Sequence, residues 1–441
     1  MLHKFYGGVH PNDHKDTSNG RPITPIKPPA QVVIPMAMHV GAPCKPLVAK
    51  GDAVKVGQRI GETTGLGAPI HASVSGTVAA VELRPNNSGR PTMSVVIDND
   101  FQDTPAQALV RPADPDKLTS QQIVELVRDA GITGMGGASF PAHVKLGGAV
   151  GKADTCILNG AECEPWITAD HRLMLEQAER IVGGARVLMR ALGLEHVTIG
   201  VEENKPDAIA HLKEVIGTKG DVIVEPLRTR YPQGAEKQLI QRITGREVPP
   251  GKLPADVKCC VFNVGTAAAV YDAVYEGKPV THRVVTVTGS AIKRPSNFLA
   301  PVGTLFDYLI EQAGGFAEPP VRVISGGPMM GVAQAQLDVP MVKATNCVLC
   351  FSKADMPVTD PEQTCIRCAR CVNVCPMHLT PLYMNMNANK QDWAACEKLR
   401  IMDCMECGSC NYICPARIPL VQNFRVAKGA VRGMMMAAAK K

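Results

Sequence analysis

The chain has 441 residues, of which 45% are hydrophobic and 20% charged, and a formal net charge of +6. That length and apolar content allow about three or four domains with real cores. No dense Lys/Arg block occurs, so the charge leaves no nucleic-acid footprint. No run approaches the roughly 18 apolar residues of a membrane-spanning helix. The opening MLHKFYGGVHPND has no apolar stretch of the kind a secretion signal needs, so the sixteen cysteines are expected reduced, in the cytoplasm.

Residues 1–30 are rich in Pro, Gly and His and read as an extended segment, in which His10 and His14 are ordinary turn residues rather than metal ligands. Residues 31–107 alternate Val/Ile with Gly-marked turns. The pieces GDAVKVGQRIGE and APIHASVSGTV resemble a lipoyl/biotinyl barrel-sandwich domain. Such domains carry their cofactor on a Lys at a hairpin tip. The tip here is Thr63-Thr64-Gly65-Leu66-Gly67, so a scaffold without a swinging arm is expected.

Residues 108–278 alternate helical and strand patterns. LTSQQIVELVRDAG reads as a helix with a capping box between Thr119 and Gln122. TCILNG, VTIGV, DVIVEPL and CCVFNV read as buried strands of a mainly parallel sheet, separated by helices that include the long stretch HRLMLEQAERIVGGARVLMRAL. Residues 279–345 return to strands around GTLFDYLIEQAGG and suggest a small β-grasp unit. Residues 346–425 read as short helices and loops carrying cysteines. Residues 426–441 form a basic Met/Ala-rich tail, expected mobile, with a membrane-surface role as an alternative reading.

The cysteines carry the chemistry. Residues 365–376 read CIRCARCVNVCP and residues 404–415 read CMECGSCNYICP, two copies of C-x2-C-x2-C-x3-C-P. This is the ferredoxin run for two [4Fe–4S] clusters, in which three close thiolates hold one cluster and the fourth, before Pro, reaches the other. One cluster is therefore expected on Cys365, Cys368, Cys371 and Cys414, and the second on Cys404, Cys407, Cys410 and Cys375. A zinc ribbon has no use for this exchange. Cys44, Cys156, Cys259, Cys260 and Cys396 read as buried structural thiols. Cys347 and Cys350 form a lone CxxC that lacks two further ligands for a metal site.

Residues 131–141, GITGMGGASFP, are not a Rossmann fingerprint: the sixth position counted from Gly134 is Ser139, and the loop follows a helix rather than a strand. So much glycine still lets backbone N–H groups approach a phosphate or a flat ring. GMGGASFPAHVKL, ILNGAECEPWITADHRLM, YPQGAEKQLI and FNVGTA follow in that order. Together they resemble the FMN- and NADH-binding subunit of respiratory complex I. With the β-sandwich in front and two ferredoxin motifs behind, roughly residues 1–425 resemble the C subunit of the Rnf complexes, membrane-bound ferredoxin:NAD⁺ oxidoreductases.

That resemblance implies a multidomain α/β protein: a barrel-sandwich domain, a Rossmann-like flavin/NADH domain, a β-grasp domain and a two-cluster ferredoxin-like helical domain. It implies that Gly134, Gly136 and Gly137 line FMN and that Lys145 reaches its polar edge. Asn159, Glu162, Glu236, Asn263 and Thr266 match further flavin positions. Phe140 matches an aromatic that stacks on the NADH adenine, and Glu164 and Tyr231 match residues bordering the nicotinamide. Three carboxylates of the complex I pattern are missing, at Ala161, Ala235 and Gly265. Implied partners are the other Rnf subunits, with ferredoxin as distant donor, at the cytoplasmic face of the bacterial membrane. A soluble cobalamin-reductase-type flavin/iron–sulfur protein is the alternative, and a relay subunit with a decayed flavin site is a third reading.

Overall fold

Residues 5–107, 112–355 and 361–438 are described by a computed structural model. The four expected strands Thr155–Gly160, Val197–Glu202, Val222–Leu227 and Cys259–Asn263 form one wholly parallel sheet. The order runs from Val222–Leu227 through Val197–Glu202 and Thr155–Gly160 to Cys259–Asn263. Continuous runs such as Cys156-Ile157-Leu158 are buried on both faces because helices cover each side. The helix Ser120–Asp129 begins as its sequence demands: Thr119 Oγ1 accepts from the Gln122 amide, and Gln122 Oε1 accepts from the Thr119 amide at 2.9 Å. The long helical stretch is two helices, Ala169–Glu176 and Ala178–Leu192, because Gln177 leaves helical geometry at φ −138° and ψ 34°.

The N-terminal β domain stacks two antiparallel sheets. One holds Gln31–Pro35, Thr92–Asn99, Gly76–Arg84 and Ala53–Val54; the other holds Lys45–Pro46, Arg59–Glu62 and Ile70–His71. Val32, Ile34, Ile60, Ile70, Val95 and Ile97 fill the space between them.

A mixed six-stranded sheet reaches past the expected boundaries on both sides. Ile23–Pro25, from the segment read as extended, pairs parallel with Ser296–Pro301 at one edge. Cys347–Phe351 lies inside the sheet, between His282–Thr288 and Arg322–Ser325. Alternation along this strand settles the lone CxxC. Cys347 and Leu349 face the core shared with the α/β domain, while Val348 and Cys350 face the helix Phe306–Gln312. Side chains on opposite faces of a sheet cannot share one metal ion.

The cluster domain closes with the helix Leu420–Ala438. Leu420, Phe424, Ala427 and Val431 recur on one face and are buried among the cysteine loops. Burying a side chain the size of Phe424 contributes about 1.5–3 kcal/mol. The basic tail is thus helical to Ala438, with Met434, Met435 and Met436 exposed.

Candidate functional site

The glycine loop leaves the helix Ser120–Asp129 and returns into the helix Ala142–Ala149. It is pinched at its base, where Gly134 N donates to the Phe140 carbonyl at 2.8 Å. Ser139 sits in left-handed geometry at φ 54°, and its hydroxyl donates to the Met38 carbonyl at 2.7 Å, anchoring the loop to the β domain. Met135 N donates to Thr266 Oγ1 at 3.1 Å. Gly136 and Gly137 form the exposed tip. A Cβ on Gly136 would lie 3.1 Å from Asn263, whereas Gly137 borders open space.

Asn159 and Asn263 end adjacent parallel strands in register, at the carboxyl ends where such sheets bind ligands. Asn159 Nδ2 donates to Gly234 O at 2.7 Å, and Asn263 Oδ1 accepts from Gly265 N at 2.8 Å, capping the next helix. Lys145 Nζ donates to Glu236 Oε1 at 2.5 Å and to Val261 O at 3.0 Å. Its side chain keeps 30% exposure, so the ammonium remains in reach of a ligand. A bare glycine backbone beside an accessible ammonium fits an anionic flavin nucleotide, and the two carboxamides, both hydrogen-bonded within the chain, shape the surface beneath it.

Beneath the loop lies a buried charged layer. Glu162 accepts from the amides of Asp170 at 2.8 Å and His171 at 3.4 Å, capping the helix Ala169–Glu176. Lys15 Nζ lies 3.9 Å from Glu162 and donates to the carbonyls of Glu164 at 3.0 Å and Ile167 at 2.5 Å. Burial lowers the Lys15 pKa, against the pull of Glu162. Asp170 accepts from Asn263 Nδ2 at 2.6 Å; burial, then the neighbouring Glu162, raises its carboxyl to about 6. Arg283, from the mixed sheet, donates through Nη2 to the Met135 carbonyl at 2.8 Å. Asp170 belongs to the stretch ILNGAECEPWITADHRLM, so its presence had a local signal. Lys15 and Arg283 had none, because both arrive from distant segments.

Glu164 and Tyr231 are each engaged with other segments of the chain. Both oxygens of Glu164 accept amides of the mixed-sheet loop, Met329 at 3.0 Å and Met330 at 2.9 Å. Burial raises this carboxyl to about 7. Tyr231 exchanges backbone hydrogen bonds with Val9, and its hydroxyl donates to the Cys407 carbonyl at 2.6 Å. Phe140 stays half-buried at the base of the glycine loop.

Two cavities open in the cluster domain. Cys365, Cys368, Cys371 and Cys414 line one, with Ile418 and Leu420; Cys375, Cys404, Cys407 and Cys410 line the other, with Met377 and Phe424. Each draws three cysteines from one motif and one from the other. Cys365 and Cys368 are exposed, whereas Cys407 and Cys410 are buried. The N-terminal segment packs against the backbone beside the inner set: Gly8 N donates to Val374 O at 2.8 Å, and a Cβ on Gly7 would lie 2.8 Å from the Cys375 carbonyl. The amides of Leu379 and Glu406 approach the sulfurs of Cys375 and Cys404, each at 3.4 Å. Among the described residues no three His, Cys, Asp or Glu side chains converge as for a single metal ion. Four thiols ringing a cavity, with amide donors on their sulfurs, fit a polynuclear iron–sulfur cluster.

Four family models match the chain: an RnfC barrel-sandwich hybrid domain at residues 3–102, a Nuo51 FMN-binding domain at 127–272, an SLBB domain at 284–333 and a 4Fe-4S dicluster domain at 364–418. The chain is 49% identical over 426 residues to the C subunit of the Na⁺-translocating ferredoxin:NAD⁺ oxidoreductase complex of Acetobacterium woodii, covering 96% of each chain. It is 45% identical to the proton-translocating counterpart of Clostridium ljungdahlii, covering 98% of this chain and 95% of that one. An NAD⁺-reducing [NiFe]-hydrogenase chain shares the fold, with a TM-score of 0.52 and 20% identity over 71% of this chain and 60% of the other. With this identity sustained from the β domain through both cysteine motifs, the chain belongs to the family of C subunits of the ion-translocating (Rnf) oxidoreductase complexes.

Proposed function

We propose that this chain is the NAD(H)-linked electron-transfer subunit of a membrane-bound ferredoxin:NAD⁺ oxidoreductase. The observation that carries the reading is the placement of the inner cysteine cavity. It is tied through Tyr231 and Cys407 to the domain that bears the glycine loop. Gly134, Gly136, Gly137, Lys145, Asn159, Asn263 and Thr266 bind or shape the FMN site, with Glu236 holding Lys145 in place. Bound there, FMN supplies the conversion between a hydride's electron pair and single electrons. The protein's part is to hold the nicotinamide against the flavin and exclude water, which calls for no acid or base.

Cys375, Cys404, Cys407 and Cys410 hold the cluster on the flavin side. Cys365, Cys368, Cys371 and Cys414 hold the outer one. The outer rim, with Ile366 69% exposed, is the face offered to partner subunits. Those partners are the other Rnf subunits, through which ferredoxin is the distant electron donor. Among the described residues no helix is long and apolar enough to cross a membrane. Within that assembly we place the chain peripherally, on the cytoplasmic face of the bacterial membrane, with ion pumping left to membrane subunits. The mixed sheet is read as a β-grasp domain. The match of the RnfC barrel-sandwich model at residues 3–102 favours this reading over a soluble cobalamin-reductase type.

The test is anaerobic purification with iron and flavin quantified, then addition of NADH. About eight iron per chain and bleaching of both flavin and cluster absorbance support the reading. Intact clusters without an NADH response would reduce the chain to a relay. Lys145→Ala should lose flavin while keeping iron; unchanged flavin content would remove Lys145 and the loop from the site.

A further inference from the structure

Arg283 stands on the strand His282–Thr288 of the mixed sheet and is 3% exposed. Its guanidinium leaves that sheet and passes under the glycine loop of another domain. Nη2 donates to the Met135 carbonyl at 2.8 Å, while the Met135 amide donates to Thr266 Oγ1 at 3.1 Å. The residue before Gly136 is thus clamped through both of its backbone groups. Nη1 fills the space beside Gly265, where a Cβ would lie 2.7 Å away. Gly265 is one of the positions where the complex I pattern has Glu. Here a cation from a different domain takes the room that a side chain would need.

The charges under the loop balance. Asp170 and Glu162 are the carboxylates facing Arg283, and Lys15 offsets Glu162 from the other side. Arg283 Nε and Asp170 Oδ1 are both buried without a hydrogen-bond partner. Desolvating a guanidinium costs several kcal/mol, and an apolar side chain would fill a plain interior at less cost. Removing this cation alone would leave a net negative layer directly beneath the loop tip.

We propose that Arg283 is a positioning residue of the flavin site: it fixes Met135 so that the Gly136–Gly137 backbone keeps its ligand-binding shape, and its charge favours the reduced, anionic flavin. This rests on the glycine loop being the flavin site. It adds a residue from outside the FMN-binding domain to that site.

The experiment uses the full chain, purified anaerobically, with iron content as the check of folding. FMN affinity is read by flavin fluorescence and the flavin midpoint potential by spectroelectrochemical titration. Arg283→Gln should raise the FMN dissociation constant at least about tenfold, as expected for losing a buried charged hydrogen bond worth about 1.5–3 kcal/mol. It should also move the flavin potential to more negative values. Combining it with Asp170→Asn restores neutrality and should bring the potential back, which a purely structural role would not do. Arg283→Lys keeps the charge but loses the fork, so affinity should fall while the potential holds. Unchanged affinity and potential in Arg283→Gln would overturn the proposal. Should that variant fail to retain iron, Arg283→Lys decides, and unchanged affinity there overturns it too. Gly136→Val separates the two readings. If it binds FMN normally, the loop assignment itself fails; if it loses FMN while the Arg283 variants do not, only the Arg283 proposal fails.

Discussion

The hydroxyl of Tyr231 donates to the backbone carbonyl of Cys407 across 2.6 Å, joining the α/β domain to a loop of the inner cysteine set. Tyr231 is 2% exposed and packs with Val9, Cys407, Met329 and Cys163. A short, buried bond of this kind ties the domain bearing the glycine loop to the inner cysteine loop, so its loss is expected to loosen their separation.

Tyr231→Phe should therefore cost about 1–2 kcal/mol, because it strands a buried carbonyl. The larger effect is expected on coupling. Stopped-flow spectra should show NADH reducing the flavin at the normal rate and the clusters more slowly. Equal cluster rates in the variant and the parent protein would show that this bond does not set the separation.

The cysteine exchange can be tested by pairing substitutions. Cys414→Ser with Cys371→Ser should remove a single cluster, leaving about four iron per chain. Cys414→Ser with Cys410→Ser should remove both. Iron analysis and electron paramagnetic resonance of the reduced protein read the difference. If the first pair lost all iron and the second kept half, the grouping would be reversed.

Glu164 makes stability depend on pH. Burial raises its folded-state carboxyl from 4.5 to about 7. The folded state therefore holds the proton more tightly than the unfolded one. Its contribution is fully present below about pH 4.5 and is lost as pH rises through about 7, amounting to at most about 3 kcal/mol. Apparent melting temperatures of Glu164→Gln should fall less steeply than the parent's across that window. Parallel curves would show that Glu164 does not titrate there.

Gly131 joins three segments. It sits at φ 65°, and a Cβ would lie 2.3 Å from the Pro69 carbonyl and 2.8 Å from Lys343 Nζ. That ammonium donates to Pro69 O at 2.8 Å and to Gly131 O at 2.7 Å. Gly131→Ala should destabilise by at least about 1–2 kcal/mol from the left-handed backbone alone, and loosen the β domain. Limited proteolysis should then cut between that domain and the rest faster than in the parent protein. Unchanged cleavage would mean that the contact yields without cost.

Local patterns carried much of this structure. The four parallel strands, the Thr119–Gln122 cap and the rejection of a Rossmann fingerprint follow from periodicities and hydrogen bonds spanning a few residues. The strand Cys347–Phe351 was not legible, because CVLCF reads as a ligand motif until its neighbours His282–Thr288 and Arg322–Ser325 claim it for their sheet. The helical tail was missed because its apolar face has meaning only once the cluster domain is there to cover it.

The sequence by itself determined the iron–sulfur chemistry, since thiolate spacing is a property of a dozen neighbouring residues, whereas it pointed to a flavin only through the resemblance of four motifs spread from Gly134 to Thr266. Tertiary structure alone decided which cysteine set lies inward, how Lys15 meets Glu162, and that Arg283 passes under a loop more than a hundred residues away in sequence. Those meetings depend on which surfaces bury one another, a free-energy difference summed over the whole chain.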